Sequence, residues 1–89
     1  MIRVAVADDQ AILRGGLAAL LRLEPDLEVV GEAATCAGTL EMVRQAEPDV
    51  LLLDVQMPAG ADGAPADGIG VAEQLQGTDG APRIIVLTT

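Results

Sequence analysis

The sequence predicts an α/β fold in which a doubly wound parallel sheet carries helices on both of its faces. Four short apolar runs have the length and composition of strands, and the stretches between them repeat apolar residues at helical spacing. Strands and helices that alternate in this way form parallel sheets with right-handed crossovers. The 89 residues are enough for one domain with a modest core, so we expect a single unit of order βαβαβαβ.

The four predicted strands differ in their apolar pattern. Ile2 to Ala7, Val50 to Leu53 and Ile84 to Leu87 are apolar at nearly every position, as strands buried on both faces are. Leu27 to Ala33 carries two glutamates among its apolar residues, which suits an edge strand with one solvated face. The pattern therefore predicts three strands of interior character and one edge strand.

Three helices are predicted from apolar stripes and end signals. The stripe of the first helix consists of leucines at i, i+4, i+7 and i+8, namely Leu13, Leu17, Leu20 and Leu21. The second runs from Cys36 to Ala46, with Thr35 as N-cap and Pro48 beyond its end. A short third helix carries Ile69, Ala72 and Leu75 and follows a loop rich in Gly, Pro, Ala and Asp, with Asp67 as its cap.

Three acids follow the ends of two predicted strands. Asp8 and Asp9 come after the first strand and Asp54 comes after the third, so they meet at one edge if the strands are neighbours. At about 4 Å and an effective dielectric near 20, each pair of carboxylates repels by about 4 kcal/mol. A proton on one acid or a hard divalent cation would offset this repulsion. The acids thus suggest a cation-and-phosphate site, although Asp9 alone could equally cap the helix that follows it.

Composition and charge exclude several classes of function. The chain has no aromatic residue, so its core must be aliphatic, and its net charge of −9 includes five arginines and no lysine. Without a basic stripe, direct binding to a nucleic-acid backbone is not expected of this segment. No apolar run approaches the roughly 18 residues of a membrane span, and the N-terminus does not read as a signal peptide. We therefore expect no membrane partner and a cytoplasmic location.

Five motifs occur in an order that resembles a known family. They are Val6-Ala7-Asp8-Asp9, Pro48 to Asp54, Met57-Pro58, Asp67-Gly68-Ile69 and Val86-Leu87-Thr88. Together they resemble the receiver domain of bacterial response regulators in two-component signalling, over the whole chain from residue 1 to 89. Leu-Glu-Val-Val-Gly-Glu-Ala and Val-Leu-Thr-Thr are most similar to the LuxR/NarL-type branch, whose output is a helix-turn-helix domain. The resemblance implies a flavodoxin/CheY-like sheet of order 2-1-3-4.

The resemblance also implies a role for each site residue. Asp54 would be the phosphoacceptor, taking a phosphoryl group from a sensor histidine kinase. Asp8, Asp9, Asp54 and the backbone carbonyl of Gln56 would hold Mg²⁺, and Thr88 would be the switch hydroxyl. The chain would be a signalling phosphoacceptor rather than an enzyme, beyond phosphorylating and dephosphorylating itself. Contact with DNA would occur only through an output domain absent from this chain.

The sequence departs from the family pattern at two places. Ala59 to Ala66 lengthen the loop after Met57-Pro58 by six residues, and either Asp67-Gly68 or Asp62-Gly63 could hold the family's Asp-Gly position. A complete receiver would also continue past Thr88 through a helix, a fifth strand ending in a lysine and a last helix. We therefore expect a C-terminally truncated receiver, which forms a homodimer or exchanges elements with a second copy through the fourth strand.

Two other functions remain open at this stage. A module of the same fold that cannot be phosphorylated, and that serves interaction or dimerisation, would explain the absent lysine. A Mg²⁺-dependent phosphatase similar to the dehalogenase family would need Asp-x-Asp, but Gln56 occupies the position of the second acid. The phosphatase reading is therefore the weaker of the two.

Overall fold

The computed structural model describes residues 1–87, which form seven elements in the predicted order. They are β1 (Ile2–Ala7), α1 (Ala11–Arg22), β2 (Leu27–Ala33), α2 (Cys36–Ala46), β3 (Val50–Asp54), α3 (Gly68–Gln76) and β4 (Arg83–Leu87). The predicted bounds of β1, β2 and α2 are confirmed, β3 includes one more residue, Asp54, and β4 begins one residue earlier, at Arg83. The α/β fold class is confirmed as well.

The four strands form one parallel sheet of order β2-β1-β3-β4, as predicted. Ala7 at the end of β1 is paired with Leu53 of β3 on one side and with Ala33 of β2 on the other. This register brings the carboxyl ends of β1 and β3 level. Residues that follow these two strands therefore emerge side by side, which is where open α/β sheets place their ligands.

The main core is aliphatic and lies between the sheet and the two helices α2 and α3. Its buried members are Ala5, Ala7, Cys36, Val43, Leu51, Leu53, Met57, Val71 and Leu75. Met57 belongs to the loop after β3, so this loop enters the core directly beside the carboxyl edge. The burial of Met57 anchors the first residues of a segment that is otherwise rich in turn-forming residues.

Helix α1 covers the opposite face of the sheet, and its predicted stripe is confirmed at Leu13, Leu17 and Leu21, which are half-buried, but not at Leu20. Leu20, a member of the predicted stripe, is 64% exposed, whereas Ala18 is completely buried. Ile12 of the same helix is also exposed, so apolar character alone does not identify every residue that faces the sheet. A small residue at the contact allows a helix to approach closely, which explains why the buried position holds alanine.

Strand β4 is an edge strand within the described residues, although its sequence has interior character. Ile85 and Val86 are about half exposed, while Ile84 packs against the core. The prediction that β2 is the other edge strand is confirmed. None of the helices in residues 1–87 has the length and apolar character required to cross a membrane.

Candidate functional site

The structure brings the three predicted acids together at the carboxyl edge of the sheet. One carboxylate oxygen from each of Asp8, Asp9 and Asp54 lies within 4.8 Å of the others. Asp8 is fully buried and Asp54 is 4% exposed, whereas Asp9 lies on the surface. Two buried carboxylates and one exposed one thus share a small volume with an opening to solvent.

Asp8 is fixed by its backbone and by half of its carboxylate. Its N–H donates to the carbonyl of Ala33 at 3.0 Å, which extends the pairing of β1 with β2, and its Oδ1 accepts from the Gln10 N–H at 2.9 Å. Its Oδ2 is buried and has no hydrogen-bond partner among the described residues. A buried carboxylate oxygen without a partner is costly, so this atom is suited to a ligand that the chain itself does not supply.

Asp54 is held by the turn that follows it and by the start of α3. The Gln56 N–H donates to Asp54 Oδ1 at 3.1 Å, and the Gly68 N–H donates to the carbonyl of Val55 at 2.8 Å. A Cβ on Gly68 would lie 2.1 Å from the backbone carbonyl oxygen of Asp54. Only glycine fits at this position, because any side chain would push the helix away from the strand end. The sequence showed Gly68 as part of a motif but not this contact.

The same geometry bears on the two possible Asp-Gly positions. Asp67 is the N-cap of α3, where its side chain accepts from the Gly70 N–H at 3.1 Å, and Gly68 packs on Asp54. Gly63 lies in open space, with nothing near the position of a Cβ. Asp67-Gly68 therefore starts the helix beside the acids, and Asp62-Gly63 belongs to the inserted loop.

The alternative role of Asp9 as a helix cap is wrong. The N-cap of α1 is Gln10, whose side chain makes no capping hydrogen bond. The Asp9 side chain instead belongs to the cluster with Asp8 and Asp54. This outcome could not be decided from the sequence, since an aspartate just before a helix is a good cap in most contexts.

Gln56 and Thr88 are the two other residues that the sequence predicts for the site. Gln56 follows Asp54 by two residues, with an exposed side chain and with its N–H directed at the Asp54 carboxylate. That its backbone carbonyl binds a metal stays a prediction. Thr88, the predicted switch hydroxyl, lies outside the described residues.

The electrostatics of the cluster follow from burial and like charge. Burial raises the pKa of Asp54 above its usual range, and the charges of Asp8 and Asp9 raise it further, whereas the Gln56 N–H acts in the opposite direction. None of the ion pairs among residues 1–87 involves these three acids. Arg14 lies close, but its guanidinium donates to the Asp8 backbone carbonyl at 2.8 Å and pairs with Glu32. The negative charge at the edge is thus left without a protein cation.

The donor set fits a hard divalent cation. All three side chains offer carboxylate oxygens, which Mg²⁺ prefers, and they lie close enough for one ion to contact them directly or through water. The unpartnered Asp8 oxygen provides a ligand atom that is already desolvated. A cation would also offset the repulsion between the acids, which no arginine does.

A doubly wound parallel sheet with a cluster of carboxylates at its carboxyl edge is typical of a class of small α/β signalling modules. Comparison with protein families identifies the particular one: residues 4–89 match the response regulator receiver domain. This chain belongs to that family, which confirms the resemblance of the motifs.

The relatives include regulators of transcription and an enzyme. The chain is 39% identical over 89 residues to the transcriptional regulatory protein DesR of Bacillus subtilis, covering all of this chain and 41% of DesR. It is 42% identical over 84 residues to a protein-glutamate methylesterase/protein-glutamine glutaminase of Dechloromonas aromatica, of which it covers 22%. The chain thus spans about two fifths, or less, of the length of these curated relatives.

A solved structure with the same fold is the signal receiver domain of the putative response regulator NarL from Mycobacterium tuberculosis. The two chains superpose with a TM-score of 0.82 at 36% sequence identity, over 96% of this chain and 64% of the other. The similarity extends over nearly the whole of this chain, so the LuxR/NarL-type assignment is confirmed together with the family.

Proposed function

We propose that this receiver domain accepts a phosphoryl group on Asp54 from the phosphohistidine of a sensor histidine kinase. Asp8, Asp9, Asp54 and the Gln56 carbonyl would hold the Mg²⁺ ion that the reaction requires. The observation that carries the proposal is the cluster of three carboxylates, in which a buried Asp8 oxygen lacks a partner beside the buried Asp54. The family supports the same role.

The transfer is a nucleophilic displacement at phosphorus. An Asp54 carboxylate oxygen forms a bond to the phosphorus, the bond from phosphorus to the histidine nitrogen breaks, and that nitrogen keeps the electron pair. The product on this chain is an acyl phosphate. A bound Mg²⁺ ion would supply neutralisation of the charge on the transferring group.

The chain's own residues prepare Asp54 for this step. Burial keeps water away from the nucleophile, and the Gln56 N–H holds one carboxylate oxygen so that the other remains available. Gly68 lets α3 begin directly against the Asp54 backbone, which fixes the strand end. The carboxylate must be ionised to attack, and a bound cation would favour the ionised form against the burial and like charge that raise the pKa of Asp54.

The consequence of phosphorylation would be regulation of transcription. Relatives such as DesR are transcriptional regulatory proteins more than twice as long as this chain, so we propose that a DNA-binding output domain in the parent protein responds to Asp54. The protein would then work in the cytoplasm. Thr88 would report the phosphoryl group by turning its hydroxyl toward it.

A second proposal concerns association of the domain with another copy through β4. The support is the edge position of this strand and the half-exposed side chains of Ile85 and Val86. Unpaired backbone groups and apolar side chains at a sheet edge favour pairing with a second strand. A homodimer, or an exchange of elements between two copies, would pair these backbone groups and bury these side chains.

The test of phosphorylation uses a small phosphodonor and Mg²⁺. Intact mass spectrometry should show one added phosphoryl group that hydroxylamine removes, as it does from acyl phosphates. Asp54→Asn should abolish the addition, whereas Asp62→Asn, a loop acid outside the cluster, should leave it unchanged. Mg²⁺ binding without any added phosphoryl group would refute the proposal and favour a module for interaction or dimerisation. Turnover of a generic phosphate ester that Asp54→Asn abolishes would favour a phosphatase.

A further inference from the structure

We propose that Gly60 and Thr35 form a clasp between the inserted loop and the start of α2, and that this clasp positions the backbone of Gln56 for the metal. Gly60 is thus a positioning residue that acts through the loop without touching the ion. The inference rests on the proposed metal site and assigns the inserted loop, Ala59 to Ala66, a part in it.

Backbone hydrogen bonds join the loop to the helix. The Cys36 N–H donates to the carbonyl of Pro58 and the Ala37 N–H donates to that of Ala59, both at 2.9 Å. The first turn of a helix has N–H groups without partners inside the helix, and here two of them are satisfied by the loop. The Thr35 side chain satisfies a third, since its Oγ1 accepts from the Gly38 N–H at 2.9 Å. The N–H groups of the first three residues of α2 are therefore all satisfied, and the loop is part of the helix cap.

Gly60 makes this contact possible in two ways. Its φ of +83° lies in the left-handed region, and a Cβ on it would lie 2.5 Å from the Thr35 Cβ and 2.6 Å from the Thr35 Oγ1. Gly63 has nearly the same φ, +82°, but nothing lies near the position of its Cβ. An alanine at either position meets the same backbone strain, and only the one at position 60 also strikes Thr35. The chain therefore contains its own matched control.

The clasp closes a short span that contains the proposed metal-binding carbonyl. Asp54 is fixed at one end by its pairing with β4, and Pro58 and Ala59 are fixed at the other by α2. Between them, Met57 is buried in the core and its carbonyl accepts from the Cys36 thiol at 3.6 Å. Gln56 lies between two anchored points, so its carbonyl has little freedom before an ion binds.

Preorganisation of this kind raises affinity because less conformational entropy is lost on binding. Releasing the backbone of one residue weakens binding by about tenfold, since ordering one residue costs roughly 1–2 kcal/mol. We expect Gly60→Ala to loosen the clasp and to weaken Mg²⁺ binding about tenfold relative to Gly63→Ala. Both substitutions leave the net charge of the chain unchanged, so a difference between them cannot come from the charges of the acids.

The experiment measures Mg²⁺ affinity by titration and amide hydrogen exchange at Cys36 and Ala37 by NMR, on the wild-type chain and on each variant. Gly60→Ala should speed exchange of these two amides and weaken Mg²⁺ binding, whereas Gly63→Ala should leave both at wild-type values. The double variant Thr35→Gly with Gly60→Ala removes the atoms that the new Cβ would strike, and glycine is an acceptable N-cap. The double variant should restore slow amide exchange and wild-type Mg²⁺ affinity. If Gly60→Ala acted only through a general loss of stability, the second substitution would not restore them.

The outcomes separate this inference from the proposed metal site. The inference alone would be overturned if Gly60→Ala exchanged the Cys36 and Ala37 amides quickly but bound Mg²⁺ as tightly as Gly63→Ala does. It would also be overturned if exchange of these amides in Gly60→Ala were unchanged from wild type. No binding of Mg²⁺ by the wild-type chain would overturn the metal site itself, and the inference with it. If Gly60→Ala does not fold, the wild-type chain carries the test, because the clasp requires slow exchange at Cys36 and Ala37. Exchange of these two amides as fast as that of the exposed loop residues Ala61 and Asp62 would overturn the clasp.

Discussion

Asp54→Asn should stabilise the chain in the absence of divalent cations, because it removes one charge from a cluster that no arginine neutralises. The introduced asparagine would keep a carbonyl oxygen as the acceptor for the Gln56 N–H, so the substitution would leave the turn after β3 intact. A mutation at the centre of a functional site would thus increase the free energy of unfolding, as expected where charge is concentrated for binding rather than for folding.

The magnitude follows from the distances in the cluster. At 4.8 Å and an effective dielectric near 20, each pair of charges repels by about 3.5 kcal/mol. The contribution of Asp9 must be reduced strongly, since it is exposed and screened by solvent and salt. We expect a net gain of about 1–3 kcal/mol, which raises the Tm of a domain of this size by about 4–8 °C per kcal/mol.

The sign of the pH dependence follows from the raised pKa of Asp54. The folded state favours the protonated acid, so the ionised acid destabilises the fold, fully above the folded-state pKa. As pH falls through that raised pKa, the wild-type chain takes up its proton and the penalty disappears. The advantage of Asp54→Asn should therefore be largest at neutral pH and should shrink on acidification.

Urea unfolding in EDTA at low ionic strength, followed by circular dichroism, measures this difference. Asp79→Asn removes one exposed charge from a turn outside the cluster and is the control. Adding Mg²⁺ should stabilise the wild-type chain and narrow the gap, because a ligand stabilises the state that binds it. Equal stability of Asp54→Asn and the control in EDTA would refute the argument from charge repulsion.

Three further predictions concern other parts of the structure. Gly68→Ala should cost about 1–3 kcal/mol in urea unfolding through overpacking, because its Cβ would strike the Asp54 carbonyl, whereas Gly77→Ala, with open space around it, should cost far less. Mg²⁺ affinity, followed by calorimetry, should fall on acidification at a higher pH than for an ordinary aspartate, because metal and proton compete for Asp54; a pH-independent affinity would contradict the proposed ligands. Ile85→Lys should reduce any concentration-dependent association seen by sedimentation, and a wild-type chain that stays monomeric at all concentrations would exclude pairing through β4.

Local signals in the sequence were sufficient to predict the helices and strands and to predict that the three acids lie close together. Pro48, Thr35 and Asp67 are capping or breaking residues whose effects depend on near neighbours, so they located the helices correctly. The placement of the acids needed only the alternation of strands and helices, because β1 and β3 then share an edge.

The features that sequence could not predict depend on the backbone of distant segments. In α1, Ala18 is buried and Leu20 is exposed, and this difference depends on how closely the helix approaches the sheet. Gly68 touches the carbonyl of Asp54, and Pro58 and Ala59 cap α2 through their carbonyls. These contacts are made by backbone atoms, which every residue type has, so no sequence motif predicts them.

The inserted loop also offers a place from which to observe the site. The chain contains no Phe, Trp or Tyr and is therefore nearly silent in near-ultraviolet absorption and in fluorescence. The tip of the loop, from Ala61 to Gly63, is exposed, while Pro58 and Ala59 are bonded to α2. A single tryptophan in place of Asp62 would thus be the sole fluorophore of this chain. Its emission would be measured without a background from the rest of the chain, so any change on adding Mg²⁺ or a phosphodonor would report a response of the loop tip.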